Sequence, residues 1–120
     1  MAYSLKFQAL ADIAQARVPA VDPAEVASLL AKGAVALDIR DSEEHAAGHI
    51  PGALHVSRGK LEMNIEAALP GTETVILCYC NANNRGALSA ATLRDMGYSN
   101  AHYIAGGLNA WRKLTEPVAR

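Results

Sequence analysis

One cysteine stands where an apolar run meets a polar loop. Residues 75–79 read Val-Ile-Leu-Cys-Tyr and predict a buried β-strand; Cys80 follows, and residues 81–84 lead to Arg85, where a helical pattern begins. A thiol placed there faces the unpaired N–H groups and the positive dipole end of the helix, and Arg85 adds a permanent positive charge. These features favour the thiolate, which is the attacking form of cysteine. Cys80 is therefore the candidate nucleophile, and the alternative is an ordinary small buried side chain.

The loop between Cys80 and the helix is rich in asparagine. Asparagine tolerates the left-handed backbone conformation better than other non-glycine residues, whereas alanine does not. A curled loop of this kind turns its N–H groups inward and makes a site for a thiolate, a persulfide or an oxyanion. The predicted substrate-binding residues of this loop are Asn81, Ala82, Asn83, Asn84 and Arg85.

The second cysteine, Cys78, lies in the middle of the same predicted strand. Its side chain and that of Cys80 point to the same face, with Cα atoms about 6.5–7 Å apart, which makes a disulfide unfavourable. We expect Cys78 to be a core residue, with a resolving-thiol role as the alternative. His45 and His49 are four residues apart, but Gly48 interrupts the helix between them, so no metal site is predicted. No dinucleotide or phosphate-binding motif is present, and we expect no cofactor.

Composition narrows the class of protein and its partners. The chain has 120 residues, 51% of them hydrophobic and 19% charged, and a net charge of −1, so we expect one domain that binds neither nucleic acid nor an anionic membrane. No apolar run is long enough to cross a bilayer, and residues 1–8 lack the pattern of a signal peptide. We expect a soluble, cytoplasmic protein, because cytosolic reductants keep thiols free.

Strand and helix patterns alternate along the chain. Strands are predicted at 18–21, 34–39, 53–56, 74–79 and 101–104, and helices at 3–17, 22–33, 42–47, 61–69, 85–96 and 108–114. Connections of a few residues between such elements predict an α/β fold: an open, mainly parallel five-stranded sheet with helices on both faces. Ligands of these sheets bind outside the carboxyl ends of the strands, where Cys80 is expected.

The first helical pattern stands apart from the rest. We assign residues 1–18 to an N-terminal helical extension and residues 19–120 to the domain. Phe7, Leu10, Ala11 and Ala14 are spaced for one helical face, which favours packing on the outside of the domain over a dedicated partner-binding helix. Exposed Phe7 and Leu10 would allow two subunits to pair, so both a monomer and a homodimer stay open.

Several segments together resemble the rhodanese-like domain. They are Asp38-Ile39-Arg40 followed by Glu44, the run Gly48-His49-Ile50-Pro51-Gly52-Ala53, Arg58-Gly59-Lys60-Leu61-Glu62, Cys80 with Arg85 five positions on, and Gly106-Gly107 before Trp111. The resemblance runs from about residue 20 to the C-terminus. It implies an open parallel sheet of five strands and sulfur transfer. In that reaction a cysteine attacks the outer sulfur of thiosulfate, releases sulfite, and passes the sulfur from a persulfide to cyanide or a thiol.

The resemblance also implies roles for individual residues. Cys80 would carry the persulfide, the backbone amides of residues 81–85 would cradle the outer sulfur, and Arg85 would orient an anionic donor. Arg58 would reach the mouth of the site and draw in anions.

Three supporting residues match the polar signature of the family. Arg40 and Glu44 would fix the turn from strand to helix, and Asp38 would steady the active loop, residues 80–85. The implied partners are a small anionic sulfur donor, a thiol or cyanide acceptor, and a protein that delivers or collects sulfur.

Two other functions remain open for this fold. The first is a phosphatase or arsenate reductase. Cell-cycle dual-specificity phosphatases share this fold, but their loop is one residue longer and holds a tetrahedral oxyanion, whereas the spacing from Cys80 to Arg85 matches the shorter loop that holds sulfur. Non-enzymatic binding modules usually lack the cysteine, which this chain keeps. The relatives that this chain most resembles have a glycine-rich loop in place of residues 81–84, so a different donor or acceptor is also open.

Overall fold

The computed structural model describes residues 3–115; residues 1–2 and 116–120, at the ends of the assigned segments 1–18 and 19–120, lie outside the described residues. The helices are α1 (Leu5–Arg17), α2 (Val26–Ala31), α3 (Ser42–Ala47), α4 (Leu61–Ala68), α5 (Asn84–Asp95) and α6 (Gly107–Thr115). The strands are β1 (Ala20–Val21), β2 (Val35–Asp38), β3 (Leu54–His55), β4 (Ile76–Tyr79) and β5 (Ala101–Ile104). Short 3₁₀ turns, Pro23–Glu25 and Arg58–Lys60, lead into α2 and α4.

The five strands form one parallel sheet in the order β1-β5-β4-β2-β3. Strand β4 lies at its centre, and all four of its residues are buried. A central parallel strand is covered on both faces, which is why its sequence is continuously apolar instead of alternating. The predicted α/β fold is confirmed, and Cys80 follows the carboxyl end of β4, beside the end of β2.

Two hydrophobic clusters fill the two faces of the sheet. One includes Cys78 and joins the sheet to α1, α4 and α5; the other includes Tyr79 and joins it to α2 and α6. Consecutive residues of a strand point to opposite faces, so Cys78 and Tyr79 lie in different clusters. The buried residues of α6 are Gly107 and Leu108, whereas Trp111 is only partly buried.

Helix α1 packs against α5 on the outside of the sheet. Its buried residues are Ala11 and Ala14. Leu10 has the spacing of this face, but 60% of its surface is exposed. Small alanine side chains let two helix backbones approach closely, so the contact face is narrower than the apolar spacing predicts.

Helix α3 covers the predicted residues 42–47, and Asp41, not the neighbouring Ser42, is its N-cap. The backbone N–H of Asp41 donates to Glu44 Oε1 at 3.0 Å. Both residue types are good N-caps, so sequence preference alone does not separate them. The consequence is that the carboxylate of Glu44 is held at the first turn of α3, facing the end of β4. Within residues 3–115, no helix has the length and apolarity needed to span a membrane.

Candidate active site

Cys80 lies immediately after β4 and is 3% exposed. The backbone N–H of Gly86, in the first turn of α5, donates to its Sγ at 3.3 Å. A Cβ at Gly86 would stand 3.3 Å from Tyr79 Cα and 3.4 Å from the Cys80 nitrogen, so the absence of a side chain lets α5 approach the strand this closely. Gly86 was not among the predicted site residues, although a glycine inside a helical pattern, where it is otherwise unfavourable, could have indicated it.

The carbonyl groups of the active loop are bound by the N-terminus of α6. Leu108 N–H donates to the Cys80 carbonyl at 2.8 Å, and Asn109 N–H donates to the Asn81 carbonyl at 3.1 Å. Gly107 has φ +58°, and a Cβ there would collide with the carbonyl oxygens of Cys80 and Ala82. The glycine pair before α6 therefore allows one helix to fix the backbone of the loop.

The side chain of Asn81 connects the loop to two other elements. Its Oδ1 accepts from Arg40 Nη1 at 3.1 Å, and its Nδ2 donates to Glu44 Oε2 at 2.9 Å. Asn81 thereby joins β4 to the end of β2 and to α3.

The other two asparagines connect the loop to further elements. Asn83 Oδ1 accepts from Gly106 N–H at 2.7 Å, next to α6. Asn84 Nδ2 donates to Gln8 Oε1 at 3.0 Å, and its Oδ1 accepts from Gln15 Nε2 at 2.9 Å, both on α1. The left-handed backbone expected for these asparagines is not found, because in the described part of the chain only glycines have positive φ. The asparagines act through their side chains.

Arg85 forms a two-point ion pair with Glu44. Its Nη1 and Nη2 donate to the two carboxylate oxygens at 2.8 and 3.0 Å. The hydrogen bonds from Arg85 are the largest cause that lowers the pKa of Glu44 to about 2, against the opposing effect of burial. Glu44 in turn raises the pKa of Arg85. The guanidinium thus lies at the site with its charge largely compensated, and Glu44 does more than fix the turn into α3.

Asp38 and Arg40 form a buried ion pair behind the loop. Asp38 is fully buried and Arg40 is 4% exposed; Arg40 Nη2 and Nε donate to the carboxylate at 2.7 and 2.9 Å. Burial by itself raises the pKa of Asp38, but the hydrogen bonds from Arg40 and His45 outweigh it and lower the pKa. Arg40 also donates to the Gly48 carbonyl at 2.7 Å, in addition to its bond to the loop. The structure therefore connects Asp38 to the active loop through Arg40.

Three histidines stack beside this ion pair. The ring of His45 lies 3.7 Å from that of His49 and 4.5 Å from that of His55, and His45 Nδ1 is 2.8 Å from Asp38 Oδ2. Across residues 3–115, no group of three or more His, Cys, Asp or Glu side chains is arranged to hold a metal ion. His102 lies on β5 inside the sheet, its Nδ1 has no hydrogen-bond partner, and burial lowers its pKa.

Arg58 lies away from the cavity at Cys80. Its guanidinium donates to Glu62 at 3.2 Å and to Thr92, two turns along α5 from Arg85, at 3.1 Å. The structure does not bring it to the predicted position at the mouth. Cys78 is fully buried and, like Cys80, a free thiol, and burial raises its pKa. It has the surroundings of a core residue.

A cavity of about 190 Å³ opens over Cys80. Its lining residues from the loop and α5 are Cys80, Asn81, Ala82, Asn84 and Arg85, and those from the N-terminal segment are Tyr3 and Phe7. The rings of Tyr3 and Phe7 meet edge to face with centroids 5.2 Å apart. Neither aromatic residue was among the predicted site residues. The pattern that could have indicated them is their spacing of four residues, which places both on one helical face, in a chain with only 5% aromatic residues.

The geometry agrees with what comparison to known proteins finds. Residues 22–114 match the family model of the rhodanese-like domain. A thiosulfate sulfurtransferase GlpE from Pseudomonas entomophila is 38% identical over 92 residues, which cover 77% of this chain and 83% of that protein.

Two solved structures are similar over most of their length. One is a protein of unknown function from Rhodopseudomonas palustris, described as a possible tyrosine phosphatase. It is 30% identical to this chain, the alignment covers 98% of each chain, and the TM-score is 0.82. The human single-domain sulfurtransferase TSTD1 is 31% identical, covers 83% of this chain and 99% of its own, and has a TM-score of 0.72. The parallel sheet, the cysteine at the end of its central strand and these matches show that the chain belongs to the rhodanese-like domain family.

Proposed function

We propose that this protein is a sulfurtransferase in which Cys80 carries the transferred sulfur as a persulfide. The observation that carries the proposal is the position of Cys80 Sγ. It lies at the end of β4, accepts a hydrogen bond from the Gly86 amide, and lines a cavity shared with Arg85. The thiolate is the nucleophilic form of cysteine, and Cys80 Sγ lies beside an amide at a helix N-terminus.

The reaction divides into two displacements at sulfur. In the first, the Cys80 thiolate attacks the outer sulfur of a donor such as thiosulfate; the donor S–S bond breaks, and sulfite leaves with the electron pair. In the second, cyanide or a thiolate attacks the outer sulfur of the Cys80 persulfide and regenerates the Cys80 thiolate. The Cys80 thiolate and the Cys80 persulfide are both anions, and the helix N-terminus favours negative charge at this point.

The other site residues hold this centre in place. Asn81, Asn83 and Asn84 connect the loop to neighbouring elements, and Ala82 contributes to the cavity wall. Arg85 is the candidate contact for the anionic part of the donor. The relatives named thiosulfate sulfurtransferase support a sulfane sulfur donor and a thiophilic acceptor. We propose the cytoplasm as the compartment, because two free thiols are compatible with a reducing environment.

The test is mass spectrometry of the intact protein after treatment with thiosulfate. We expect one added sulfur atom in the wild type and in Cys78→Ser, and none in Cys80→Ser. Cys78→Ser is the matched control, because it removes the other thiol of the chain from the core. Wild type that takes up no sulfur from any donor would support a binding module and overturn the proposal.

A second candidate is hydrolysis of aryl phosphates, which the description of the Rhodopseudomonas palustris structure favours. Two features oppose it: Arg85 follows Cys80 by only five positions, and its guanidinium is engaged by Glu44 at both Nη atoms. We expect p-nitrophenyl phosphate to be hydrolysed no faster by the wild type than by Cys80→Ser. Turnover that depends on Cys80 would establish the phosphatase instead.

A further inference from the structure

The outer wall of the catalytic cavity comes from a segment outside the family match. The rhodanese-like match begins at residue 22, whereas Tyr3 and Phe7 belong to the N-terminal segment that contains α1. Their two rings line the same cavity as Cys80. What this wall contributes is therefore a property of this chain and not of the shared domain.

The N-terminal segment is fixed to the active loop. Asn84 bonds Gln8, the residue after Phe7, and Gln15, two turns farther along α1, and the buried alanines of α1 pack against α5. Phe7 is half-buried and in edge-to-face contact with Tyr3. The aromatic wall is thus positioned before a ligand binds, which lowers the entropy lost on binding.

The charge of the cavity does not suit a doubly charged inorganic donor. Among its described lining residues only Arg85 carries a charge, and both of its Nη atoms are bound by Glu44. Thiosulfate brings two negative charges into this site, whereas an organic thiosulfonate brings one. Moving a charge out of water is costly unless it is paired, so the second negative charge is unfavourable here.

The size of the cavity limits the apolar group that it accepts. A cavity of about 150 Å³ with apolar walls holds one benzene ring, and this cavity measures about 190 Å³. An aryl or short alkyl group therefore fits against Tyr3 and Phe7, but a peptide-sized group does not.

We propose that Tyr3 and Phe7 form an apolar donor subsite, which makes this protein prefer sulfane sulfur donors with an aryl or short alkyl group over inorganic thiosulfate. The inference rests on the proposed function of Cys80 and names its donor class. With a thiosulfonate, the Cys80 thiolate attacks the outer sulfur, the S–S bond breaks, and the organic sulfinate leaves with the electron pair. The apolar group stays on the sulfinate and contacts the aromatic wall throughout.

The test compares kcat/KM for benzenethiosulfonate and for thiosulfate, with the same thiol acceptor. The wild type should favour benzenethiosulfonate. Phe7→Ala should lower the ratio of the two kcat/KM values about tenfold, the range expected for loss of an apolar pocket contact, and Tyr3→Ala about threefold. Leu5→Ala is the matched control: it removes an apolar side chain of the same segment that is 89% exposed and lies outside the cavity lining, and its ratio should equal that of the wild type.

Two variants are compared so that the result does not depend on Phe7→Ala keeping α1 folded. Tyr3 precedes α1 and is 57% exposed, so Tyr3→Ala leaves the helix intact even where Phe7→Ala loosens it. An unchanged ratio in both variants, or a wild type that favours thiosulfate, would refute the apolar subsite while sulfur uptake at Cys80 still supports the proposed function. A Cys80 that takes sulfur from neither donor would overturn both.

Discussion

Replacing Asp38 by asparagine should destabilise this protein far more than the same change at Asp95. Both carboxylates pair with an arginine at 2.7 Å, Asp38 with Arg40 and Asp95 with Arg17. The Asp38 pair is buried, whereas the side chains of Arg17 and Asp95 are 48% and 64% exposed. The two substitutions remove the same type of group at the same distance from an arginine. They differ in burial and in the number of bonds lost, because Asp38 also accepts from Arg40 Nε and lies 2.8 Å from His45 Nδ1.

The magnitude follows from the charge left behind. Asp38→Asn leaves the guanidinium of Arg40 buried without a counter-ion, and breaking a buried pair in this way costs about 3–5 kcal/mol. A chain of 120 residues has an unfolding entropy of about 0.25 kcal/mol per kelvin, so the expected fall in Tm is about 12–20 °C. Asp95→Asn should change Tm by less than about 4 °C, because water screens an exposed pair.

The assay is thermal and urea unfolding of both variants at neutral pH, followed by circular dichroism. Equal shifts in Tm for the two variants, or a fall of less than about 5 °C for Asp38→Asn, would refute the argument that burial decides the energy of these pairs.

The pH dependence gives a second measurement on the same variants. The pKa of Asp38 is lowered in the folded protein from an ordinary value of 3.8. Its ionised form therefore contributes stability above pH 3.8, and that contribution is lost as pH falls through the lower folded pKa. The difference in stability between wild type and Asp38→Asn should shrink over this acid range. A difference that stays constant or grows toward acid pH would contradict the lowered pKa.

Three further predictions concern the loop and its neighbours. Glu44→Gln should remove the negative charge that compensates Arg85 and lower KM for thiosulfate about threefold at low salt. Steady-state kinetics measures this KM, and a raised KM would show that Glu44 has another role. Gly107→Ala should lower the free energy of unfolding, measured in urea, by at least about 2 kcal/mol, because the new Cβ both strains the backbone at positive φ and collides with the loop carbonyls. Gly33→Ala should lower it less, because Gly33 also has positive φ but has open space around it. Asn84→Ala should speed hydrogen exchange in α1 about tenfold, and unchanged exchange would mean that helix packing alone holds α1.

The fold could be predicted because its signals are local. The continuous apolar run before Cys80 indicates a strand covered on both faces, and the alternation of strands with helices leaves few arrangements other than a parallel sheet. Sequence alone does not decide which of Asp41 and Ser42 caps α3, because the two residue types have similar cap preference and only backbone geometry separates them.

The site was predicted less completely, because much of it depends on contacts that are distant in sequence. The partners of Asn84 lie on α1, 69 and 76 residues away, and no local pattern indicates them. For the same reason, the aromatic wall formed by Tyr3 and Phe7 could not be inferred: helical spacing predicts that two rings share a face but not which surface that face covers. Arg58 shows the converse, since a matching segment placed it near the site and its own hydrogen bonds hold it elsewhere.

The asparagine-rich loop is held in place by interactions different from those of a glycine-rich loop. A glycine loop curls because its backbone is unrestricted, and that freedom is lost on folding. Here the described loop residues have ordinary negative φ values, and side-chain bonds of Asn81, Asn83 and Asn84 hold the loop to α3, α6 and α1. Since three elements fix one short loop, the position of Cys80 depends on all of them. A substitution in α1 should therefore shift the position of the Cys80 thiol, although α1 lies outside the family match.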